Sequence, residues 1–194
     1  MPRHRIASLA LLAALATLAC GERAPGTSSA DSATADRVAP QSTSPVAWTV
    51  TESGIGPLRA GMDLASAVAA VPGTLSAAAG VPDMECQYAT WSDAPQGVRV
   101  MIVAGVVERV EIHDPSIATA AGARVGDAVE RIETLYAGRV RRTPHKYTDG
   151  SYLTVVAVPP ADTLHRLVFE TDGTRVTTYR AGRIPAVEYV EGCA

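Results

Sequence analysis

The residues most able to do chemistry in this 194-residue chain are three histidines that lie beyond its first twenty positions. His113, His145 and His165 are about 20 or more residues apart, so they form no pattern of metal ligands. The chain also contains no Gly-x-Ser-x-Gly nucleophile turn, no His-Glu-x-x-His motif and no phosphate-binding loop. We therefore predict a non-catalytic protein that needs no metal and no cofactor. A hydrolase of unrecognised type, with His113 or His145 as the general base, is the alternative hypothesis.

The densest polar cluster of the sequence is His145-Lys146-Tyr147-Thr148-Asp149-Gly150. We interpret His145, Lys146 and Tyr147 as a possible binding surface, although polar residues before an Asp-Gly turn are also typical of a solvated hairpin. Tyr179 and Arg180 are assigned to the same surface, because Tyr, Trp and Arg are enriched in protein interfaces. If the aromatic residues of the strands point into the core instead, they compensate for the single Phe of the sequence. The other aromatic residues of the predicted strands are Tyr88, Trp91 and Tyr152.

The first 19 residues are typical of an export signal. A basic head at residues 1–5 precedes an uncharged apolar run at residues 6–19, which is shorter than the roughly 20 residues that span a bilayer. Leu18-Ala19-Cys20-Gly21 follows and resembles the lipobox of bacterial lipoproteins, with Thr17 where that family usually has Leu. The resemblance implies cleavage before Cys20 and attachment of a lipid to this cysteine. An ordinary secreted protein with an incidental cysteine is the alternative.

The segment after the lipidation site is predicted to be a disordered tether. Residues 20–46 are rich in Ser, Thr, Ala, Pro and Gly, so they cannot bury enough apolar surface to offset their chain entropy. Gly21 carries no signal for inner-membrane retention of the kind known in bacterial lipoproteins. We therefore expect a lipid-anchored protein of the cell envelope, on the outer membrane, facing the periplasm or the exterior.

Composition excludes nucleic acid as an expected partner. Cleavage before Cys20 removes Arg3 and Arg5 and leaves 15 basic against 20 acidic residues, a net charge of −5. Cys86 and Cys193 then remain as an even pair in an oxidising compartment, which predicts a disulfide. Residues 47–194 have the length of one ordinary domain with a core of its own.

An internal repeat suggests the architecture of this domain. The segment Arg59-Ala60-Gly61-Met62-Asp63-Leu64 reappears, 65 residues later, as Arg124-Val125-Gly126-Asp127-Ala128-Val129. Asp63 and Asp127 are predicted N-caps of two short helices, and Gly73 and Gly138 are their predicted ends. Strands predicted from alternating apolar residues and Asp-Gly turns follow each helix. Their predicted ranges are 85–91, 98–103, 106–113, 139–147, 152–158, 164–171 and 175–179. The sequence therefore predicts an α+β fold of two tandem units, at about residues 55–118 and 119–194, each a short helix followed by an antiparallel meander.

The segment from Leu58 to Asp63 also resembles the Gly-Met-Thr signature of the SmpA/OmlA small lipoproteins of outer-membrane assembly, with Asp63 in place of Thr. Two tandem units with a disulfide are similar in plan to the β-lactamase inhibitor protein. These resemblances imply a sheet surface that binds another protein and performs no chemistry. The leading functional hypothesis is therefore an envelope binding module that contacts a protein or the cell wall, and a secreted inhibitor of a hydrolase is the alternative.

Overall fold

The computed structural model describes residues 48–77, 85–157 and 163–193. The predicted export signal, Cys20 and the tether lie outside the described residues. Neither of the two α-helices exceeds seven residues, and none of the helices in the described part of the chain is long and apolar enough to cross a membrane.

Twelve strands, two α-helices and a 3₁₀-helix form the described part of the chain. The first half contains β1 (Val50–Thr51), β2 (Gly54–Ile55), β3 (Leu58–Arg59), α1 (Leu64–Ala70), β4 (Leu75–Ser76), β5 (Cys86–Tyr88), β6 (Thr90–Trp91), β7 (Val98–Val103) and β8 (Val106–Ile112). The second half contains α2 (Val129–Leu135), β9 (Val140–Pro144), β10 (Ser151–Val155), β11 (His165–Thr171), β12 (Val176–Arg183) and the 3₁₀-helix Ala186–Glu188.

One antiparallel sheet of seven strands dominates the fold, in the order β5-β7-β8-β12-β11-β10-β9. Two small sheets, β1-β2-β3 and β4-β6, accompany it. The predicted fold class, α+β with two tandem helix–meander units, is wrong, because the protein is mostly β and its strands join in this large sheet. The halves meet where β8 pairs with β12, for example at Tyr179 opposite Ile112. That pairing satisfies backbone groups that two separate meanders would leave on open edges.

The two helices are shorter than the sequence predicted. Asp63 caps α1 as predicted, with its carboxylate accepting a hydrogen bond from the Ser66 amide at 2.8 Å. Asp127 does not cap α2, which begins after Ala128 without a side-chain cap. Its carboxylate instead accepts from the Arg124 amide and from Arg131 Nε. Val68, predicted on the apolar stripe of α1, is 41% exposed.

The main core lies on the side of the large sheet where the helices pack. It contains buried residues of α1 and α2 together with alternate residues of the central strands: Ala67, Val129, Ile132, Val110, Ile112, Leu153, Leu167, Phe169, Tyr179 and Ala181. Side chains at even intervals along a strand share one face. The residues between them therefore point to the opposite face of the sheet, which we call the outer face.

The predicted Asp-Gly hairpin between β11 and β12 is confirmed. The strands pair from His165 opposite Arg183 to Thr171 opposite Val176, with a bulge near Thr171. In the turn, the Asp172 carboxylate accepts from the amides of Thr174 and Arg175, each at 2.8 Å. These hydrogen bonds, led by that from Arg175, lower the pKa of Asp172 to about 2.

The close approach of β8 and β12 requires glycine at position 182. A Cβ atom there would lie 2.2 Å from the Glu108 carbonyl oxygen. We expect Gly182→Ala to lower the free energy of unfolding by about 1–3 kcal/mol or more, because the backbone of β8 has to move. Urea denaturation measures the loss. Gly138→Ala is the control, because a Cβ atom there meets nothing within 4 Å. Only the positive φ disfavours alanine at this position, so the free energy of unfolding should fall by about 1 kcal/mol. Equal losses in the two variants would contradict the steric explanation.

Candidate functional site

The outer face carries the polar side chains of the sheet in a continuous cross-strand row. The strand pairings place six residues of adjacent strands side by side in this row, namely Arg99, Glu111, Arg180, Val168, Thr154 and Arg141. Half-exposed Arg99 and well-exposed Arg141 lie at its two ends, whereas Arg180 and Glu111 in the middle are only 4% and 6% exposed. The centre of the outer face therefore consists of polar side chains that are buried from solvent.

The chain end covers this centre. Residues 184–193, here called the C-terminal segment, pack Val187 against Tyr152 and Val168 of the outer face. Two buried arginines hold the backbone of the segment. Arg109 Nη1 donates to the Ala186 and Tyr189 carbonyls at 2.9 and 2.6 Å. Arg180 Nε donates to the Val187 carbonyl at 2.6 Å.

A disulfide fixes the far end of the C-terminal segment. Cys86 on β5 is joined to Cys193, with 5.2 Å between their Cα atoms and a sequence separation of 107. Lys146 adds an exposed ion pair to Glu191 at 3.1 Å. The segment is thus attached at its start by β12, in the middle by arginines and at its end by a covalent bond.

Glu111 is the acidic centre of this arrangement. Its carboxylate accepts from Arg109 Nε at 3.0 Å and from the Tyr88 hydroxyl, and Arg99 Nη1 lies 3.5 Å away. Burial alone would raise the pKa of Glu111, but the charge of Arg109 and the hydrogen bond from Tyr88 outweigh it and lower that pKa. Burial and the neighbouring carboxylate raise the pKa of the Tyr88 hydroxyl. Glu111 is therefore held as a carboxylate and Tyr88 as a neutral donor.

The lowered pKa of Glu111 predicts a loss of stability in acid. The stabilising contribution of the carboxylate is complete above its ordinary pKa of 4.5 and disappears as the pH falls through the lower pKa of the folded state. Glu111→Gln should be less stable than the wild type at pH 7, and the difference should shrink below about pH 4.5. Urea midpoints between pH 7 and pH 3 measure this. Glu130→Gln, at an exposed position of α2, should show no such convergence. A constant difference for Glu111→Gln would contradict the assignment.

Two cavities flank the C-terminal segment on the outer face. The Arg141 cavity, about 320 Å³, lies over β9 to β12 and is lined by Arg141, Thr143, Tyr152, Thr154, Arg180 and Val190 among others. The His113 cavity, about 200 Å³, lies over β5, β7, β8 and β12 and is lined by Tyr88, Arg99, Glu111, His113, Thr178 and Gly192 among others. Arg180 and Val190 border both cavities. The segment therefore forms a wall between two small concave sites.

The residues of the predicted binding surface do not form one patch. Lys146 and Tyr147 are exposed on the turn between β9 and β10, beside Glu191 of the C-terminal segment. His145 is mostly buried, and its ring stacks on that of Tyr152 at 4.5 Å. Arg180 is buried beneath the segment.

The surface role predicted for Tyr179 is wrong. Its side chain is fully buried in the main core, and its hydroxyl donates to the Ile117 carbonyl at 3.1 Å. Burial raises the pKa of this hydroxyl strongly. Trp91 and Tyr152 are also buried, each 8% exposed. Most aromatic residues of the strands thus compensate for the single Phe, whereas Tyr147, which lies on the turn between β9 and β10, is 60% exposed.

His113 is the histidine with the strongest case for chemistry. It lies in the His113 cavity with its Nε2 3.6 Å from Glu111 Oε2. Thr178 lines the same cavity, but its hydroxyl donates to the Ile112 carbonyl at 2.9 Å. A histidine and a carboxylate therefore meet in a concave site where the hydroxyls of Thr178 and Tyr88 are bonded to other groups, the Ile112 carbonyl and Glu111. Within the described residues, no group of three or more His, Cys, Asp or Glu side chains is placed to hold a metal ion.

Comparison with known proteins gives no family for this chain. No protein-family model matches it, and no curated protein matches it. The crystal structure of the uncharacterized protein YfeY from Escherichia coli is similar over 70% of this chain and 99% of that chain. The TM-score is 0.44 and the sequence identity is 13%, values too low to support a conclusion about function. Neither result bears on the resemblance to SmpA/OmlA lipoproteins, which stays a prediction.

The cover over the outer face was not predicted from the sequence. In β8, Arg109 and Glu111 alternate with the core residues Val110 and Ile112 and therefore lie on the outer face, a side that sequence alternation would assign to solvent. That side is buried, because the cover comes from residues 77 and 80 positions further along the chain. The feature of the sequence that indicates such a cover is a charged strand face combined with a cysteine near the chain end.

Proposed function

We propose that this protein is a lipid-anchored binding module of the cell envelope, acting without chemistry of its own through the outer face of its large sheet on a protein or cell-wall partner. The proposed anchor is a lipid on Cys20, on the outer membrane, and the partner is not a nucleic acid. The export signal, the composition of residues 20–46 and the acidic net charge support these parts of the proposal.

The observation that carries the proposal is the chemistry of the outer face. Two concave sites lie on a base that buried ion pairs and backbone hydrogen bonds hold in place. Exposed Arg141 and half-exposed Arg99 and His113 border them. A preorganised polar concavity with arginine at its rim loses little freedom when a partner binds, which favours recognition. Nucleophilic catalysis would also need a nucleophile aligned with His113, and the Thr178 hydroxyl in that cavity is instead bonded to the Ile112 carbonyl.

Site-specific photocrosslinking in intact cells tests this proposal. A photoreactive amino acid replaces Lys146, which is exposed beside the C-terminal segment, or Glu130, which is exposed on α2. We expect a discrete crosslinked product from position 146 and none from position 130. Equal labelling at both positions, or no product from either, would contradict binding through the outer face.

Lipidation needs a separate test. Mass spectrometry of the mature N-terminus should show cleavage before Cys20 and a lipid on its sulfur. Cys20→Ser should shift the protein from the membrane fraction to the soluble fraction. An unmodified Cys20, or cleavage elsewhere, would make the protein a secreted one.

The proximity of His113 to Glu111 favours a hydrolase as the second candidate function. The purified protein is tested with chromogenic esters, amides and phosphoesters. Turnover that disappears in His113→Gln and persists in His165→Gln would replace the binding proposal with this one.

A secreted hydrolase inhibitor is a third proposal, supported by the exposed turn that carries Tyr147. Excess protein should then inhibit at least one member of a panel of lysozymes, β-lactamases and peptidases, and Tyr147→Ala should weaken that inhibition. A fully active panel excludes this proposal for the enzymes tested.

A further inference from the structure

The Arg141 cavity contains hydrogen-bonding groups that the described structure does not use. Tyr152 lines the cavity and is 8% exposed, yet its buried hydroxyl has no hydrogen-bond partner among the described residues. Nearly all buried polar groups in proteins have a partner, and leaving one unpaired costs free energy. A buried hydroxyl without a partner at the edge of a cavity therefore indicates a place where a ligand oxygen or a water completes the site.

Arg141 supplies positive charge at the rim of the same cavity. Its guanidinium is 63% exposed, and its ion pair with Glu188 is long, at 3.9 Å. Its fork of N–H groups is thus available for a planar acceptor with two oxygens. Thr154, only 7% exposed, forms the floor between Arg141 and Val168 of the cross-strand row. A guanidinium and neutral hydroxyls around one concavity are suited to an oxyanion.

The charges around the cavity favour a carboxylate over a phosphate. Arg180 also lines the cavity, but its charge is paired with Glu170. Glu188 also lines the cavity and is the partner of Arg141 in the long ion pair of 3.9 Å. The charges of the cavity and of Glu170 therefore nearly cancel, and Arg141 is the more weakly paired of the two arginines. A singly charged carboxylate can compete for Arg141 with less repulsion from Glu170 and Glu188 than a doubly charged phosphate would meet.

The size and the remaining lining indicate what accompanies this carboxylate. A volume of about 320 Å³ is at the lower end of the range for small-ligand sites. Pro144, Val168 and Val190 give the cavity an apolar side next to its polar groups. This side accommodates a short aliphatic side chain, and Glu188 at the rim can accept from a backbone amide.

We propose that the Arg141 cavity binds the C-terminal carboxylate of a short peptide. This inference rests on the proposed function and specifies which part of the outer face recognises the partner and by which chemistry. Arg141 binds the carboxylate, the Tyr152 hydroxyl donates to it, and the apolar side takes the last side chain of the peptide.

Isothermal titration calorimetry of the full mature chain tests the proposal with N-acetyl-dialanine, its C-terminal amide and inorganic phosphate. We expect the free acid to bind, and the amide and phosphate to bind at least tenfold more weakly. Arg141→Gln and Tyr152→Phe should each weaken binding of the acid at least fivefold. Arg142→Gln is the matched control, because Arg142 is adjacent in sequence but hydrogen-bonds Ser151 and lies near Glu133 of α2, and it should bind like the wild type.

Tyr152→Phe separates a binding role from a structural one. Because the hydroxyl has no partner in the described structure, its removal should leave the urea midpoint unchanged or higher while it weakens binding. Unaltered affinity in both Arg141→Gln and Tyr152→Phe overturns the proposal, as does an amide that binds as well as the acid. Tighter binding of phosphate than of the acid also overturns it and identifies a phosphate site.

The outcomes distinguish this inference from the function on which it rests. Crosslinking from position 146 together with no binding of N-acetyl-dialanine contradicts only the carboxylate site. Binding of the peptide acid without a crosslinked product contradicts only the envelope-partner proposal.

Discussion

Arg109→Ala is expected to lower the free energy of unfolding by about 3–5 kcal/mol, the usual cost of removing one partner of a buried ion pair. Arg109 is 3% exposed and binds Glu111, which is itself 6% exposed. Alanine would leave the Glu111 carboxylate without its main counter-charge. It would also leave the Ala186 and Tyr189 carbonyls without their side-chain donor. Urea denaturation at pH 7, analysed by linear extrapolation, measures the change.

Arg99→Ala is the matched control for this experiment. Arg99 also lies near Glu111, at 3.5 Å, but its side chain is 50% exposed. An exposed ion pair contributes about 1 kcal/mol or less, so the control should lose no more than that. Similar losses in Arg99→Ala and Arg109→Ala would show that burial does not determine the strength of these pairs.

A double variant separates the two roles of Arg109, which are its ion pair with Glu111 and its hydrogen bonds to the C-terminal segment. The double variant Arg109→Met and Glu111→Leu removes both charges and so avoids an unpaired one. It should recover part of the stability that Arg109→Ala loses. Full recovery is not expected, because methionine donates no hydrogen bond to the C-terminal segment. A double variant as stable as the wild type would show that those backbone contacts contribute nothing.

Loss of the disulfide should have an effect of comparable size. The bond between Cys86 and Cys193 closes a loop of about 107 residues. Cross-links of this length stabilise by up to about 4.7 kcal/mol in the chain-entropy model, and removal of native disulfides costs about 2–5 kcal/mol. We expect Cys86→Ser and Cys193→Ser each to lose this amount, and the double variant to lose no more than either single one. Additive losses would show that the two cysteines do not act as a pair.

The disulfide experiment needs a background in which an unlipidated Cys20 cannot act as a third thiol. Cys20→Ser provides it, because it removes the proposed lipidation site, which lies outside the described residues. Thermal unfolding with and without dithiothreitol then gives an independent comparison. The reductant should lower the midpoint of the parent protein and leave that of Cys193→Ser unchanged.

The sequence predicted most strands of the large sheet because their signals are local. Alternation located β7 and β8 within one residue of their bounds. The dipeptide Asp149-Gly150 located the turn before β10, and Asp172-Gly173 located the turn after β11. Such signals require only neighbouring residues, and they are therefore visible in a single chain.

Long-range arrangement could not be predicted in this way. The pairing of β8 with β12 joins residues such as Ile112 and Tyr179, and no local pattern specifies it. The face on which Tyr179 lies depends on strand register, which the bulge near Thr171 shifts. The candidate site depends on both features and on the C-terminal segment. Its cavities therefore became visible only when the positions of distant residues were known.

The outermost strand β9 has a consequence for the behaviour of the protein at high concentration. It ends the seven-stranded sheet at the edge away from β5, so one side of its backbone pairs with no strand in the part of the chain that the structure describes. Open edges of this kind invite strands of other molecules and promote aggregation. The strand is only five residues long, carries Arg141 and Arg142 in succession and finishes at Pro144. The arginines of two approaching copies repel each other, and the proline has no amide hydrogen to donate. Both effects oppose edge-to-edge growth into fibrils. The charge on this one strand therefore helps to keep the protein in solution.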